Sequence, residues 1–350
     1  MNDISLIIPT HFRHHFLSRV LDYYQKSGFK IYVVDSSKNV FEDKSKYGDI
    51  TYLHFPDTSY FDKMKMVFSH VNTKYAFICA DDDFITIESV KKCALYLEKN
   101  RDYSSAQGHY ISFNYPSSLA PYPVYLSMLN HNISNNSPVD RLNNQLMNYM
   151  FHYYSVHRTS FLKYFFEEIN PKLSNTTVGE LANTVTSLIN GKHRVLPIFY
   201  AARDAHTMGP YVPDLVDIQD LNYYQNFVAI MADFFSKKHS ISQYEAKLKL
   251  EKVLQKYFEQ VKLSRRTKKL IKPSLFKTSL KYILPSSFVD KLKNKIYKKR
   301  TNGIQGFPFS DKQSEQQWQE MKDVICRHNI NYSKSNKDYL DNWHLNSSKL

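Results

Sequence analysis

The chain has 350 residues, 42% of them hydrophobic and 15% aromatic, and a formal net charge of +14. This length suggests about two domains or one enlarged domain, and the apolar content excludes a disordered chain. The basic charge is local: residues 262–300 contain fourteen Lys or Arg and one acid, Asp290, and therefore hold +13 of the total. A uniformly basic surface for nucleic acid is therefore disfavoured.

The first hundred residues alternate between strand and helix patterns. Apolar runs predict buried strands at SLIIPT, KIYVVDSS, ITYLHF and YAFICADDDF, and SAQGHYISFN predicts a further strand. Apolar residues at helical spacing predict helices over FLSRVLDYYQKSG, YFDKMKMVFSHVNT and ITIESVKKCALYLEKN. Such alternation is typical of βαβ units, so we expect an α/β fold with a mostly parallel sheet flanked by helices.

The remainder of the chain has weaker patterns. Residues 115–145 are rich in Pro, Ser and Asn, which predicts a long loop or lid, and residues 146–170 have helical spacing. The stretch TTVGELANTVTSLINGKHRVLPIFYAAR then predicts a turn, a helix and a strand. We therefore divide the chain into an α/β part, residues 1–215, and a helical region, residues 216–350, which contains the basic segment 262–300.

The sequence predicts a cytoplasmic protein. No apolar run approaches the ~18–20 residues needed to cross a bilayer, and the N-terminal residues lack the basic region and cleavage site of a signal peptide. Three widely spaced cysteines, Cys79, Cys93 and Cys326, form neither a disulfide framework nor a zinc-binding pattern. We expect them to be free or buried thiols in a reducing compartment.

Three of the predicted strands end in polar residues. In a parallel sheet, ligands bind at the carboxyl ends of the strands, so these polar ends are expected to meet in one crevice. The three ends are Pro9-Thr10-His11, Asp35-Ser36-Ser37 and Asp81-Asp82-Asp83.

The three consecutive aspartates are the strongest chemical signal. Adjacent like charges repel, and a hard divalent cation such as Mg²⁺ or Mn²⁺, which prefers oxygen ligands, removes that repulsion. Strand alternation would direct Asp81 and Asp83 to one side and Asp82 to the other, although a turn would bring in Asp82 instead. The alternative interpretation is that these acids cap the helix that begins near Ile87.

In this order, SLIIPTHFR, KIYVVDSS and YAFICADDDF resemble the nucleotide-sugar-binding half of a GT-A glycosyltransferase of the family-2-like type. In that family, the first strand leads into Pro-Thr, an aromatic residue and Asn-Arg, and the fourth strand ends in an Asp-x-Asp motif. The resemblance is clear over residues 3–115 and weak over 175–210. It implies a GT-A fold, a nucleotide-sugar donor and Mn²⁺ or Mg²⁺ as cofactor.

The resemblance also implies roles for individual residues. Pro9, Thr10 and His11 would border the nucleoside, with Phe12 as an alternative aromatic contact, and Asp35 would contact the base or ribose. The full set expected at the nucleotide sugar is Pro9, Thr10, His11, Arg13, Asp35, Lys63, Asp81, Asp82 and Arg203. The set expected at the metal is Asp81, Asp83 and His206.

The second half of the resemblance lies in VGELANTVTSLINGKHRVLPIFYAARDAH. It is similar to the family's Gly-Glu-Asp, helix, Gly, strand, Pro pattern, in which an acid at the helix start is the catalytic base. Glu180 has that position, and Leu181 replaces the second acid. An inverting transfer needs one carboxylate to deprotonate the acceptor hydroxyl. Alternatively, Glu180 caps a helix after Thr176 and Thr177.

Three further side chains have both functional and structural interpretations. Arg203 would offset the diphosphate charge by bidentate contact. Lys63 would face the diphosphate or lie exposed on its helix. His206 follows a strand after which GT-A enzymes often supply a third metal ligand, or it is an ordinary surface or core histidine.

Missing motifs argue against other enzyme classes. The chain has no Gly-x-x-x-x-Gly-Lys-Ser/Thr loop, which excludes a P-loop NTPase, and no Gly-x-Gly-x-x-Gly after the first strand, which argues against a dinucleotide-binding dehydrogenase. The glycine-rich first loop of sugar nucleotidylyltransferases and a Gly-x-Ser-x-Gly nucleophile elbow are also missing.

The basic segment 262–300 interleaves Lys and Arg with Leu, Ile, Phe and Tyr. This apolar content favours a surface helix on anionic lipid, at the inner face of the plasma membrane, over a tail that binds nucleic acid. A solvated helical face is the third interpretation. We therefore expect no nucleic-acid partner.

The sequence as a whole predicts a metal-dependent glycosyltransferase. It would move a sugar from a nucleotide sugar, with a preference for uridine, to a glycan or lipid-linked acceptor in bacterial surface polysaccharide synthesis. The alternatives are a nucleic-acid-binding protein that acts through the basic segment and a GT-A-like scaffold without turnover.

Overall fold

The computed structural model of the protein describes most of the chain. The described residues are 3–126, 129, 131–147, 149–150, 152–173, 176–205, 222–270, 286–328 and 330. His206, the predicted boundary at 215/216 and residues 271–285 of the basic segment lie outside them.

Within these ranges, ten strands form a single sheet. They are β1 (Ile4–Thr10), β2 (Lys30–Asp35), β3 (Ile50–His54), β4 (Tyr75–Ile78), β5 (Phe84–Ile85), β6 (Tyr103–Asn114), β7 (Ser118–Val124), β8 (Asn132–Ile133), β9 (Val156–Arg158) and β10 (Lys192–Asp204). Their order is β3-β2-β1-β4-β9-β6-β10-β5, with β7 paired to β6 and β8 paired to β10.

The predicted parallel strands form one half of this sheet. β1 pairs in parallel with β2 and with β4, and β2 pairs in parallel with β3. The two longest strands, β6 and β10, also pair in parallel, whereas the short strands β5, β7, β8 and β9 are antiparallel to their neighbours. The predicted α/β architecture with a mostly parallel central sheet is confirmed.

The helices of the described residues surround this sheet. They are α1 (His14–Tyr24), α2 (Tyr60–His70), α3 (Ile87–Lys99), α4 (Pro138–Met147), α5 (Thr159–Tyr164), α6 (Thr176–Asn190), α7 (Asn222–His239), α8 (Gln243–Leu270), α9 (Ser286–Thr301) and α10 (Lys312–His328). The three helices predicted in the first hundred residues are α1, α2 and α3. Each buries the apolar face that its spacing defines, such as Phe16, Leu17 and Val20 of α1.

Two predictions for the middle of the chain hold only in part. Residues 115–145 are not a loop throughout, because they contain β7, β8 and most of α4. The prolines at 121 and 123 hid β7, but proline is tolerated in a strand at the edge of a pairing. Residues 146–170, predicted to be helical, contain α5 and a π-helical turn, Phe165–Ile169, but also β9, which is inserted between β4 and β6. A strand of three residues is too short to show an alternating pattern.

The C-terminal helices pack directly on the α/β part. α7 packs against α6, α8 against α4, α9 against β7, and α10 against α1. Trp318 of α10 is buried with its ring centroid 5.6 Å from that of Phe113 in β6. The buried side chains of these helices belong to the same hydrophobic cluster as the sheet.

Gly108 allows β6 and β10 to approach closely. The register of this strand pair shifts between Val195 and Phe199, so β10 has a bulge near Gly108. A Cβ atom at Gly108 would lie 2.4 Å from the Ile198 carbonyl oxygen and 2.9 Å from Tyr200 Cβ. Because the far end of β10 reaches the crevice described below, this approach helps to set the position of that end.

Gly108→Ala is expected to lower the free energy of unfolding by about 1–3 kcal/mol, the usual cost of overpacking a filled core. The matched control is Gly48→Ala, because an added Cβ there has no atom within 4 Å. Urea unfolding followed by circular dichroism measures both values. Equal free energies of unfolding for the two variants would contradict this close approach.

Candidate functional site

The three aspartates lie in a turn between β4 and β5, here called the aspartate turn (Asp81–Asp83). The Asp83 amide donates a hydrogen bond of 3.4 Å to the Ala80 carbonyl, and all three side chains are buried. α3 begins only at Ile87, with Thr86 as its N-cap residue. The aspartates therefore do not cap α3, and that alternative is wrong.

Asp81 and Asp82 face the end of β1. Thr10 Oγ1 donates to Asp81 Oδ2 at 2.7 Å. Arg13 Nη2 donates to Asp82 Oδ2, and Arg13 Nε lies 3.5 Å from Asp81 Oδ1. Pro9 lies partly exposed in β1 beside Thr10. Arg13 thus bridges two adjacent acids. Asp82 lies beside Asp81, as expected for a turn and not for strand alternation.

Asp83 faces the opposite wall, formed by the end of β10 and the segment before β9. The Asp204 amide donates to Asp83 Oδ1 at 2.8 Å, and the Tyr154 hydroxyl donates to Oδ2 at 2.9 Å. Arg203 Nε lies 3.5 Å from the same Oδ2. Both oxygens of Asp83 therefore already have donors, and Arg203 lies beside this carboxylate.

Burial makes the charged carboxylates of the aspartate turn costly. Burial raises the pKa of both Asp81 and Asp83, the Asp82 charge raises it further, and Arg13 and Arg203 oppose these effects. Mg²⁺ and Mn²⁺ fit such a donor set, because one or two carboxylates suffice when phosphate oxygens and water complete the shell. Among the described residues, no three His, Cys, Asp or Glu side chains are arranged to hold a metal by themselves. Phosphate oxygens would therefore have to supply further ligands.

Asp35 is an internal acceptor at the end of β2. Its Oδ2 accepts from His14 Nε2 at 2.7 Å and from the Tyr52 hydroxyl at 2.6 Å, and its Oδ1 accepts from the Ser37 amide at 2.7 Å. Although burial raises the pKa of Asp35, these hydrogen bonds lower it to about 2. The expected direct contact with base or ribose does not fit this arrangement, since the side chain is fully buried. Asp35 instead orients His14, Tyr52 and Ser37.

Lys63 is buried, so the interpretation as an exposed helical lysine is wrong. Its ammonium donates to the Thr10 carbonyl at 2.7 Å and to Ser36 Oγ at 3.0 Å, and thereby ties the ends of β1 and β2 together. Burial lowers the pKa of Lys63 to about 8, while the nearby carboxylates Asp35 and Asp81 raise it. Lys63 therefore supplies positive charge beneath the strand ends.

Two aromatic rings lie partly exposed just after β1. His11 Nδ1 lies 3.0 Å from Ser36 Oγ, and the Phe12 ring meets the His11 ring edge-on at 4.5 Å. Phe12 has a φ of 54°, uncommon for a bulky residue, and its amide donates to Ser37 Oγ at 2.7 Å. Burial and the charge of Lys63 lower the pKa of His11 to about 4, so its ring is neutral at pH 7.

Glu180 lies on α6 at the wall that also holds Arg203. α6 begins at Thr176 and has no acid in its first turn, so Glu180 does not cap the helix. The side chain reaches solvent, yet the surrounding residues desolvate its carboxylate and raise its pKa, which the charge of Arg203 lowers. Arg203 is likewise affected by both Asp83 and Glu180. The charge of Arg203 thus acts on both Asp83 and Glu180.

The charge of Glu180 affects four tyrosines. Burial raises the pKa of Tyr60, Tyr125, Tyr149 and Tyr153, and the Glu180 carboxylate adds to this effect. The Tyr60 and Tyr153 hydroxyls are hydrogen-bonded to each other, and Arg203 Nη1 donates to the Tyr125 hydroxyl at 3.3 Å. Sequence reasoning missed these residues because they come from separate segments and form no motif.

Arg19 is a further residue that the sequence analysis missed. It is fully buried, its Nη2 donates to the Asp82 carbonyl at 2.7 Å, and its guanidinium lies 3.4 Å from Asp204 Oδ2. The rings of Phe16 and Phe84 lie 4.9 and 5.3 Å from it. A signal was present, since a charged residue three positions after Phe16 falls on the apolar face of α1.

Part of the basic segment forms an exposed surface on α9. Tyr297 is buried and fixes α9 to the protein, with its ring 6.4 Å from that of Phe307. Leu292 and Ile296, one turn apart, are 48% and 49% exposed. We call this surface the basic face; it consists of Lys291, Leu292, Lys295, Ile296 and Lys299. In the part of the chain that the structure describes, no helix has the length and apolar character to cross a bilayer.

Asp35→Asn is expected to lower the free energy of unfolding at pH 7 by about 2 kcal/mol, because the pKa of Asp35 is about 2 instead of 3.8. A lowered carboxyl pKa contributes stability that is complete above about pH 4 and disappears as the pH falls through about 2. The difference from the wild type should therefore shrink below pH 4.

Urea unfolding between pH 7 and pH 2.5 tests this expectation, with the exposed Asp49→Asn as control. A difference between Asp35→Asn and the wild type that does not change with pH would contradict it.

Searches of family models and of curated proteins find no match. Solved structures of TarS from S. aureus are similar to the chain. TarS 1-349 in complex with UDP has a TM-score of 0.52 and 14% identity, with 98% of this chain and 92% of that chain covered. TarS 1-349 has a TM-score of 0.48 and 13% identity, with the same coverage. Another TarS structure has a TM-score of 0.43 and 16% identity, with 70% of this chain and 45% of that chain covered.

The similarity to the UDP complex, at 14% identity, demonstrates a shared fold. The fold implied by the sequence resemblance is confirmed, and the chain has the GT-A fold of glycosyltransferases.

Proposed function

We propose that the protein is a glycosyltransferase that transfers a sugar from a nucleotide sugar to an acceptor hydroxyl. The observation that carries this proposal is the position of Arg203. Its guanidinium lies 3.5 Å from Asp83 of the aspartate turn, and its charge also acts on Glu180. The aspartate turn suits a cation and a diphosphate, and Glu180 suits proton abstraction.

The donor is a UDP-sugar in this proposal. The TarS structure that shares the fold is a complex with UDP, which supports a uridine nucleotide. Pro9, Thr10 and His11 border the nucleoside, and the neutral ring of His11 or the ring of Phe12 offers a stacking surface. Asp35 contributes indirectly, through the side chains that it orients.

Basic side chains offset the charge of the diphosphate. Arg13 and Arg203 lie at opposite ends of the aspartate turn and present guanidinium groups that suit phosphate oxygens. Lys63 adds charge from beneath, since its ammonium is bonded to the Thr10 carbonyl and to Ser36.

Asp81 and Asp83 would hold a Mn²⁺ or Mg²⁺ ion together with the diphosphate oxygens, and Asp82 would keep Arg13 beside them. The predicted third ligand, His206, lies outside the described residues. A bound cation would stabilise the charge that develops on the leaving nucleoside diphosphate.

Glu180 is the general base. Its carboxylate accepts the proton of the acceptor hydroxyl while the hydroxyl oxygen bonds to the anomeric carbon, and the bond from that carbon to the diphosphate breaks on the opposite side. The sugar configuration is thereby inverted. The desolvation of Glu180 raises its pKa, which makes it a stronger base than an ordinary surface glutamate. The acceptor is a glycan or a lipid-linked precursor of a bacterial surface polysaccharide.

The basic face would hold the enzyme on the inner surface of the plasma membrane. Its lysines attract anionic lipid headgroups, and each contributes about 1 kcal/mol to the binding free energy. The exposed side chains of Leu292 and Ile296 can enter the boundary between headgroups and acyl chains. The exposed apolar pair favours a lipid surface over nucleic acid, because phosphate contacts alone do not need it.

Glu180→Gln is expected to lower kcat for UDP release from a UDP-sugar by about 10²- to 10⁴-fold, because the amide cannot accept the proton. The affinity for UDP, measured by calorimetry, should stay within about twofold, since base catalysis contributes nothing to ground-state binding. The control is Glu168→Gln, an exposed glutamate outside the crevice. Undiminished turnover of Glu180→Gln with any UDP-sugar of a panel would refute the role of Glu180.

The triple variant Lys291→Glu, Lys295→Glu, Lys299→Glu should lose binding to vesicles that contain anionic phospholipid, and Leu292→Ser with Ile296→Ser should weaken it. Vesicle sedimentation measures both effects. Leu95→Ser removes an apolar side chain that is 54% exposed on α3, and it should leave binding unchanged. Unaltered sedimentation of the triple variant would contradict the membrane proposal. Salt-sensitive binding of the wild type to an oligonucleotide, without binding to vesicles, would also contradict it.

A further inference from the structure

We infer that Arg13 competes with the divalent cation for Asp81, so that the cation binds well only together with a nucleoside diphosphate. This inference rests on the proposed function, because it concerns the same site and the same bound species, a divalent cation and a nucleoside diphosphate. It adds a thermodynamic coupling between them that the proposed function does not require.

The first argument is the position of the guanidinium. Arg13 Nη2 is bonded to an Asp82 oxygen, and its Nε lies 3.5 Å from an Asp81 oxygen. The other Asp81 oxygen accepts from Thr10. The guanidinium therefore lies close to an Asp81 oxygen that an arriving cation would use, and the two positive charges cannot share that oxygen without repulsion.

The second argument is the contrast between Arg13 and Arg19. Arg19 is fully buried and bonded to the backbone carbonyl of Asp82, so it supports the turn whatever the carboxylates bind. The bonds of Arg13 described above are to carboxylate oxygens of the turn, and its side chain is 12% exposed. Arg13 is thus able to change its partner while Arg19 keeps the turn in place.

The third argument is what Arg13 meets when the donor binds. A diphosphate beside the aspartate turn offers anionic oxygen atoms as acceptors. The guanidinium can donate to them in the same bidentate way as to the carboxylates that it leaves. The ring of Phe16, 4.8 Å from the guanidinium carbon, can stay in contact with the moving side chain. A cation alone must displace the guanidinium from Asp81, whereas a cation that arrives with diphosphate brings new acceptors for it.

The coupling must be reciprocal, because each ligand changes the affinity of the other by the same factor. Removing the Arg13 charge should therefore tighten the binding of the cation alone. It should also reduce the increase in cation affinity that the nucleotide causes. A residue that merely binds the donor would not affect the cation in the absence of nucleotide.

Electron paramagnetic resonance of Mn²⁺ tests this inference on the full chain, because bound Mn²⁺ loses the signal of the free ion. We expect Arg13→Ala to bind Mn²⁺ at least about fivefold more tightly than the wild type when UDP is absent. Saturating UDP should raise the Mn²⁺ affinity of the wild type by a larger factor than that of the variant. Arg13→Gln, which keeps most of the side chain, should lie in between, and thermal unfolding checks that both variants are folded.

The charge-matched control is Arg101→Ala, an exposed arginine in the turn before β6, which should behave as the wild type. Mn²⁺ affinity of Arg13→Ala equal to or below that of the wild type without UDP would overturn the inference, as would equal changes in Arg101→Ala. Metal-independent UDP binding by all these proteins would also overturn it while leaving the proposed transferase standing. Failure to bind UDP, with the Mn²⁺ difference intact, would instead contradict the proposed function.

Discussion

The constraint on which the structure depends is the concentration of negative charge where the parallel strands end. Asp35 ends β2 and the aspartate turn follows β4, and burial makes each carboxylate costly unless a donor or a positive charge compensates it. The compensation comes from four basic side chains that converge from different elements: Arg13, Arg19, Lys63 and Arg203.

These four groups have two kinds of partner, and the difference matters for function. Arg19 and Lys63 are buried and donate to backbone carbonyls, so they fix the geometry of the strand ends. Arg13 and Arg203 contact carboxylates at the surface of the crevice. A phosphate ligand would therefore meet adaptable charges above a rigid base, which is the arrangement that preorganised charge stabilisation needs.

Sequence reasoning succeeded where one local pattern decides the structure. β1, β2 and β4 were predictable because a strand buried on both faces is continuously apolar. β7 and β9 were not, because prolines or short length removed the pattern and pairing with the distant β6 supplied the stability. The fold was thus largely predictable in its first half and only partly in its middle.

The same distinction holds in the crevice. The aspartate turn and Arg13 follow from adjacent residues, whereas Tyr154 meets Asp83 across 71 residues of sequence and left no local signal. Asp35 shows a second limit, since a carboxylate at a strand end has the same sequence whether it faces a ligand or three internal donors. The central claim is that a nucleoside diphosphate binds over these strand ends, and hydrogen–deuterium exchange with UDP and Mn²⁺ tests it directly. The account predicts slower exchange of amides 10–13, 36–37 and 80–83, and protection confined to residues 291–300 would contradict it.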